Sequence, residues 1–262
     1  MKFCRFSPSG TSGSQPASAL YGQFEGDLIR DISGPPWSAW SQGSRTWPIA
    51  DVRLLAPVEP GKIVCVGRNY AAHAAELGNE IPKEPLIFLK PPSAIIGPGE
   101  PIVLTPQSKR VEHEGELALI VGKRCSQLKE SDDALSYLLG YSCLNDVTAR
   151  DLQKSDVQFT RAKGFDTFCP VGPHIETQLD PADVLVETHV NGASRQSGRT
   201  SLMAYPVAFL VRWISRVMTL FPGDLIATGT PAGVGPLVAG DVVEISVSGV
   251  GVLRNPVQAP HT

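Results

Sequence analysis

The stretch Val111 to Arg124, VEHEGELALIVGKR, limits what this chain can fold into more than any other. Read as one strand, alternate residues point to opposite faces. Glu112, Glu114 and Glu116 then share a face with Ala118 and Ile120, while Leu117, Leu119 and Val121 take the other. Carboxylates spaced along one face of an apolar strand repel each other, and they lose hydration as the strand is buried. A cation bound between them removes both problems, and hard divalent ions prefer oxygen ligands. An edge strand with a solvated acidic face fits the stretch equally well, so the rest of the chain has to decide.

A buried strand needs a core around it, and 262 residues with 42% apolar content supply one, as one large domain or two unequal ones. The formal net charge of −3 and pI near 6.0 argue against nucleic-acid or anionic-membrane partners. No apolar run approaches the roughly 18 residues of a membrane span. The start, MKFCRFSPSG, lacks the apolar core of a secretory signal. Cys4, Cys65, Cys125, Cys143 and Cys169 are odd in number and scattered, with no CxxC pair. They read as buried free thiols of a cytoplasmic protein.

Residues 1–58 are expected to form a small β-rich module. Short alternations at Lys2 to Ser7, Ala19 to Phe24 and Gly26 to Ile32 are separated by the turn-rich SPSGTSGSQ and SGPPWS. Trp47 to Lys62 reads as the connection into a main domain at 59–262. There IVCVG (Ile63 to Gly67) reads as a buried strand and Ala71 to Gly78 as a helix stopped by glycine. Ser126 to Gly140 and Tyr205 to Asp224 show helical apolar spacing. Val184 to Gln196 is a hairpin turning at Asn191-Gly192, and Gly240 to Val257 holds two alternating strands around a glycine turn.

Several residues on this frame have chemistry to offer. His73 and Glu76, spaced i, i+3, face one side of a turn; they suit a general base oriented by a carboxylate, or a solvated surface pair. The loop 78–85 reads as a lid or as a plain connection. Asp146 ends a strand as a functional carboxylate or as a turn residue. Lys163 is a solvated loop residue, or it offsets clustered carboxylates and tethers an anionic substrate. Lys90, closing an apolar strand, reads as covering a core rim with no catalytic role. The amides of LIATGTPAGVGP, with the Thr228 and Thr230 hydroxyls, suit a carboxylate, but the loop lacks the lysine and spacing of a phosphate-binding P-loop.

The ordered run GRNYAAH, FLKPPSA, EHEGELALIVGK, NDVTARDLQ, RAKGFDTFCPVGP, NG and TGTPAGVG, from Gly67 to Gly235, resembles the fumarylacetoacetate hydrolase family. The resemblance covers roughly residues 60 to 257 and is carried by several motifs in one order. It implies an α+β, mostly β fold: a mixed β-sandwich roll with few helices, as a homodimer. It implies that Glu114, Glu116 and Asp146 bind Mg²⁺ or Mn²⁺ and that Lys163 serves the catalytic site. Arg68, Arg150, Gln153 and Thr230 then contact substrate, and His73 with Glu76 form a lid pair. Glu112 and Gly115 stand at variable positions of the pattern, so Glu112 is left out of the ligand set. The implied activity is metal-dependent C–C bond cleavage in a small 2-oxo or 2,4-dioxo acid or diacid through a metal-stabilised enolate. Hydrolysis of an acylpyruvate and decarboxylation of oxaloacetate both fit. An isomerase or tautomerase of a 2-hydroxy-dienedioate or oxaloacetate, as in aromatic catabolism, is the alternative. A non-catalytic binding protein on the same scaffold fits the intact carboxylates and lid pair poorly.

Overall fold

The computed structural model describes residues 1–9 and 19–260, so most of the SPSGTSGSQ turn lies outside the described residues. Five strands come first: β1 (Lys2–Pro8), β2 (Leu20–Glu25), β3 (Leu28–Ile32), β4 (Gln42–Pro48) and β5 (Val52–Leu55). Next are β6 (Ile63–Gly67), helix α1 (Ala71–Glu76), β7 (Leu86–Lys90), β8 (Ile95–Ile96) and β9 (Ile102–Val103). The middle of the chain holds β10 (Val111–His113), β11 (Gly115–Val121), β12 (Leu138–Asn145), β13 (Thr148–Ala149), α2 (Arg150–Ser155) and α3 (Thr160–Lys163). The last third runs through β14 (Cys169–Glu176), β15 (Leu185–Val190), β16 (Ala193–Arg199) and α4 (Val207–Val217). It closes with β17 (Leu225–Ala227), β18 (Gly235–Pro236), β19 (Val242–Val247) and β20 (Gly251–Gln258). The fold is α+β and mostly β.

All seven residues of β11 are buried, because both faces of this strand are covered. Leu117, Leu119 and Val121 join the larger apolar cluster, with Val186, Val243, Ile245 and Leu253 of the sheet β16-β15-β19-β20-β9. Ala118 and Ile120 face a second cluster with Cys65, Leu144 and Ala227. The division of faces read from the alternation therefore holds. In the main sheet the order is β4-β3-β2-β1-β14-β12-β11-β17-β6-β7. β11 is antiparallel to β12 and β17, and β17 is parallel to β6. As a result the start of β11 and the ends of β12, β17 and β6 meet along one edge, where polar residues can leave the sheet without crossing the core. That edge carries the site.

Three expectations change. The acidic stretch is two strands: pairing breaks at Glu114, where its N–H donates to Asn145 Oδ1 at 2.9 Å and its carbonyl accepts from Asp146 N–H at 2.8 Å. No helix spans Ser126 to Gly140. The Asp132 and Asp133 carboxylates accept from the backbone N–H groups of Lys129 and Leu135, offering a local alternative to a helix. Only a 3-10 turn (Ala134–Tyr137) forms before β12 takes Leu138 onward. The segment Trp47 to Lys62 is more than a connection, since β5 pairs antiparallel with β1. β1 also pairs with β14, so the N-terminal strands extend the main sheet while keeping a small core at Cys4, Phe6 and Ile29.

The hairpin at Asn191-Gly192 forms as read, with φ of 53° and 77° at those two residues. All five cysteines are buried and free. Among the described residues no helix is long and apolar enough to cross a membrane.

Candidate active site and metal centre

Glu114 sits in the break between β10 and β11, Glu116 one pleat further on, and Asp146 just past β12. The sheet register brings one oxygen of each within 4.8 Å of the others, and all three are buried. Gly229 N–H, on the loop after β17, donates to Glu116 Oε2 at 2.7 Å. The glycine-rich loop thus holds one of the protein's own carboxylates. Gly229 has φ of +98°, and a Cβ there would stand 2.7 Å from the Asn69 Cβ, so only glycine brings this amide in without displacing a neighbour.

Cations answer two of the three carboxylates. Lys163, at the end of α3, donates to Glu114 Oε2 at 2.7 Å and Asp146 Oδ2 at 2.6 Å. Lys90 Nζ donates to Asp146 Oδ1 at 2.5 Å and to the Val147 carbonyl at 3.1 Å. Lys90 is buried to 1% exposure, so its reading as a core-rim residue is wrong. It closes β7, and the β6–β7 pairing delivers its side chain into the carboxylate cluster. Arg150, at the start of α2, bridges Glu112 and Glu114: its Nε donates to Glu112 Oε2 at 2.6 Å and its Nη2 to Glu114 Oε1. Glu112 thus stays outside the triad and serves as the anchor of Arg150.

Four buried carboxylates (Glu112, Glu114, Glu116, Asp146) therefore meet three buried cations (Lys90, Lys163, Arg150). Electrostatics divides the carboxylates. Burial pushes Glu114 up, but Lys163 and Arg150 outweigh it and hold its carboxyl well below the usual range. Burial pushes Glu116 well above its ordinary value, and the charges of Asp146 and Glu114 add to that. Burial works to lower Lys163, but Asp146 and Glu114 prevail and raise it. Among the described residues, no cationic side chain stands within bonding distance of Glu116. Three convergent hard oxygens, one of them on an anion disfavoured where it stands, fit a divalent ion such as Mg²⁺ or Mn²⁺.

These groups open into a cavity of about 310 Å³, lined also by Arg68, His73, Gln153, Lys154, Phe88 and Thr230. His73 is 5% exposed, and its Nδ1 lies 3.3 Å from Glu76 Oε2. Glu76 in turn accepts from Gly233 N–H at 3.1 Å, which ties α1 to the loop after β17. The pair is therefore a built dyad at the cavity, and Nε2 is left as the imidazole nitrogen without a partner among the described residues. Gly78, with φ of +70°, follows α1 and begins the 78–85 loop. Arg68 lines the cavity at φ of +56°, an uncommon conformation for a residue with a Cβ.

Three of the proposed substrate contacts, Arg150, Gln153 through its Oε1, and Thr230, bond within the protein. Gln153 Oε1 accepts from Arg150 Nη1 at 2.5 Å. The Thr230 hydroxyl donates to the Gly115 carbonyl at 2.8 Å and accepts from Gln196 Nε2 at 2.7 Å. Thr228 likewise donates to the Leu117 carbonyl at 2.8 Å. Neither hydroxyl is a spare donor for a ligand.

Gln196, absent from the sequence reading, organises this corner. Its Oε1 accepts from Gly115 N–H at 3.0 Å and from the Thr188 hydroxyl at 2.8 Å, and it also faces His113 Nδ1 at 3.0 Å. Its Nε2 donates to Thr230 and to the Pro231 carbonyl. Gly115 lies between the two triad glutamates, where a Cβ would stand 2.2 Å from Thr188 Oγ1. Close packing makes this glycine necessary, although it stands at a variable position of the family pattern. Asn69 was missed as well: it is fully buried and braces the β6 end by bonding Thr228 and Tyr205.

Comparisons with known proteins find matches to both parts of the chain. A family model described as Fumarylacetoacetate (FAA) hydrolase C-terminal matches residues 62–258, and one described as Rv2993c-like, N-terminal matches residues 1–57. Protein Rv2993c of Mycobacterium tuberculosis is 50% identical over 254 residues, covering 93% of this chain and 96% of its own. The bovine mitochondrial oxaloacetate tautomerase FAHD2A is 43% identical over 223 residues, covering 80% of this chain and 71% of its own. The crystal structure of 5-carboxymethyl-2-hydroxymuconate delta-isomerase from Mycobacterium smegmatis matches with a TM-score of 0.90 at 47% identity, covering 99% of this chain and all of that one.

Proposed function

Since this chain belongs to the fumarylacetoacetate hydrolase family, an enzyme family, we propose that it is a divalent-metal-dependent enzyme acting on a small 2-oxo or 2,4-dioxo acid or diacid. The favoured reaction is cleavage of a C–C bond. One observation carries this reading: His73, with Glu76 against its Nδ1, lines one cavity together with the carboxylates Glu114, Glu116 and Asp146. A Mg²⁺ or Mn²⁺ ion held by those three carboxylates supplies a Lewis acid for the 2-oxo group of the substrate.

The chain's own residues do the rest. Glu76 holds His73 Nδ1, so Nε2 takes a proton from the water that attacks the distal carbonyl. As the C–C bond breaks, its electron pair passes to the enolate of the 2-oxo acid. The proton held on Nε2 then returns to carbon. Lys163 and Arg150 keep Glu114 ionised, and Lys90 with Lys163 fixes Asp146, so the cluster is set before substrate arrives. Arg68, a cavity-lining cation with no carboxylate partner among the described residues, receives the substrate carboxylate.

A second reading rests on the relatives. One is named an oxaloacetate tautomerase and another a hydroxymuconate isomerase. In such a reaction the same dyad would move a proton between carbon and oxygen, and no water would attack.

A panel of oxaloacetate, acetylpyruvate, fumarylpyruvate and 2-hydroxyhepta-2,4-diene-1,7-dioate, run with Mg²⁺ or Mn²⁺ and followed by product analysis, separates the two. Cleaved products support the first reading; an isomerised but intact carbon skeleton supports the second. Cleavage rates that His73→Ala leaves unchanged would remove the base role. Calorimetry completes the test: Glu114→Ala, Glu116→Ala and Asp146→Ala proteins that bind Mn²⁺ as tightly as the parent would refute the ligand set.

A further inference from the structure

Helix α2 presents three residues to the cavity from one face: Arg150, Gln153 and Lys154, at i, i+3 and i+4. The first is spoken for, and the second is uncharged with its oxygen engaged. Arg150 is locked onto Glu112 and Glu114, and Gln153 accepts from Arg150. Lys154 is exposed and has no ion-pair or hydrogen-bond partner among the described residues.

The carboxylates nearest to it in sequence are engaged elsewhere. Asp151 accepts from the Ser108 hydroxyl at 2.5 Å and from Lys109 N–H at 2.8 Å. Asp156 pairs with Arg161 at 2.6 Å. The buried lysines Lys90 and Lys163 are both neutralised by the triad carboxylates. Lys154 therefore places an unanswered, solvated ammonium at the mouth of a cavity whose floor binds the other end of a ligand.

We infer that Lys154 is a specificity-determining residue, whose ammonium receives the second carboxylate of a dicarboxylic 2-oxo acid and makes the protein prefer diacids over monoacids of the same length. The inference rests on reading the cavity as a 2-oxo acid site. An ammonium on a four-carbon stem suits this task, because it follows a carboxylate at several distances, whereas a fixed guanidinium fork demands one geometry. Arg68, the other unpaired cation of the cavity, belongs to the strand end beside the triad and is assigned the first carboxylate.

The test uses two unreactive probes of equal chain length, 2-oxoglutarate and 2-oxopentanoate, titrated by calorimetry into the Mn²⁺-loaded protein. The parent prefers the diacid. Lys154→Met reduces that preference roughly two- to fivefold, the size of a solvent-exposed ion pair, whereas Lys154→Arg retains most of it. Added salt narrows the parent's preference in the same direction. A general structural defect would weaken both probes alike. A parent that binds both probes equally, a preference that survives Lys154→Met, or one lost only in Arg68→Met overturns the role of Lys154 and leaves the proposed function standing. A parent that binds neither probe overturns both.

Discussion

Strand β14 joins two regions that treat buried polar groups in opposite ways. Its first residue, Cys169, lies in the field of Lys90, Asp146 and Glu116 at the cavity end. Its last residues, His174 to Glu176, meet the N-terminal strands through β1. At the cavity, charge is kept inside the protein and answered by opposite charge. At the junction Glu176 meets the Met1 ammonium at 3.5 Å, and the packing around it is aromatic: rings pack edge to face, with Phe3 on Trp40 at 5.4 Å, Tyr21 on Trp37 at 5.7 Å and Phe24 on His174 at 5.4 Å. Burial, aided by Lys2, pushes His174 down to about 4, while Glu176 opposes the shift; its Nε2 is buried without a hydrogen-bond partner. A sheet built only for stability would resemble the junction throughout. Ionised groups persist at the other end because the chemistry proposed there needs them.

The comparison is most exposed to Lys163→Met. This change keeps the unbranched stem to within one atom but removes the ammonium shared by Glu114 and Asp146. Arg150 and Lys90 still serve those carboxylates, yet each loses one of its two cationic partners. Breaking a buried pair from one side costs about 3 kcal/mol or more. Urea unfolding of the metal-free protein should show that loss, and saturating Mn²⁺ should restore part of it by binding only the folded state. A variant as stable as the parent without metal would mean that the buried charges are not coupled as the geometry requires.

The junction makes a smaller prediction with a definite sign. The His174 value falls from an ordinary 6.5 to about 4, so the folded protein holds this imidazole neutral where the unfolded chain protonates it. A depressed basic group contributes no penalty above pH 6.5. As the pH falls from about 6.5 to about 4 the unfolded state gains the proton first, and stability drops by roughly 3 kcal/mol in all. His174→Phe fits beside Phe24 and removes the effect. The stability of that variant relative to the parent should therefore rise by about this amount between pH 7 and pH 4, as measured by urea unfolding at each pH. A pH-independent difference would show that His174 is protonated where it stands.

How far the two regions could be foreseen follows the same division. The faces of β11 were legible because alternation is a local property: Leu117, Leu119 and Val121 on one side, Ala118 and Ile120 on the other. The placement of His73 beside Glu76 followed from their i, i+3 spacing, whereas the convergence of Glu114, Glu116 and Asp146 was foreseen from motifs in family order. Lys90 was misread because a lysine closing an apolar strand has the same local signature whether its ammonium reaches water or, as here, a carboxylate 56 residues away in sequence. Glu112 could not be separated from Glu114 by its own spacing. Their fates divide at the Glu114 break, which depends on Asn145. Gln196 carried no signal, since apart from its bond to Thr188 within the β15–β16 hairpin its bonds join segments that meet only in the folded chain. The segment from Ser126 to Gly140 failed for the complementary reason: aspartate–backbone bonds and the demand of β11 for a partner outweigh a helical apolar pattern.

The smallest effect belongs to the exposed charges of the N-terminal region, and there the contrast is sharpest. Arg5 of β1 contacts Glu59 at 2.6 Å, shorter than the contact between Lys163 and Glu114, but Glu59 is 65% exposed. Distance alone would rank this pair with the buried ones. Water reverses the ranking: solvated charges attract weakly, and holding two long side chains together costs rotamer entropy. Glu59→Gln should therefore change stability by less than about 1 kcal/mol at low salt, with the difference shrinking as salt screens the pair. Urea unfolding of this variant and of Lys163→Met, both metal-free and at two salt concentrations, places the two kinds of pair on one scale. Equal losses, or a Glu59→Gln loss that salt leaves intact, would mean that burial is not what separates the charges of the cavity from those of the surface.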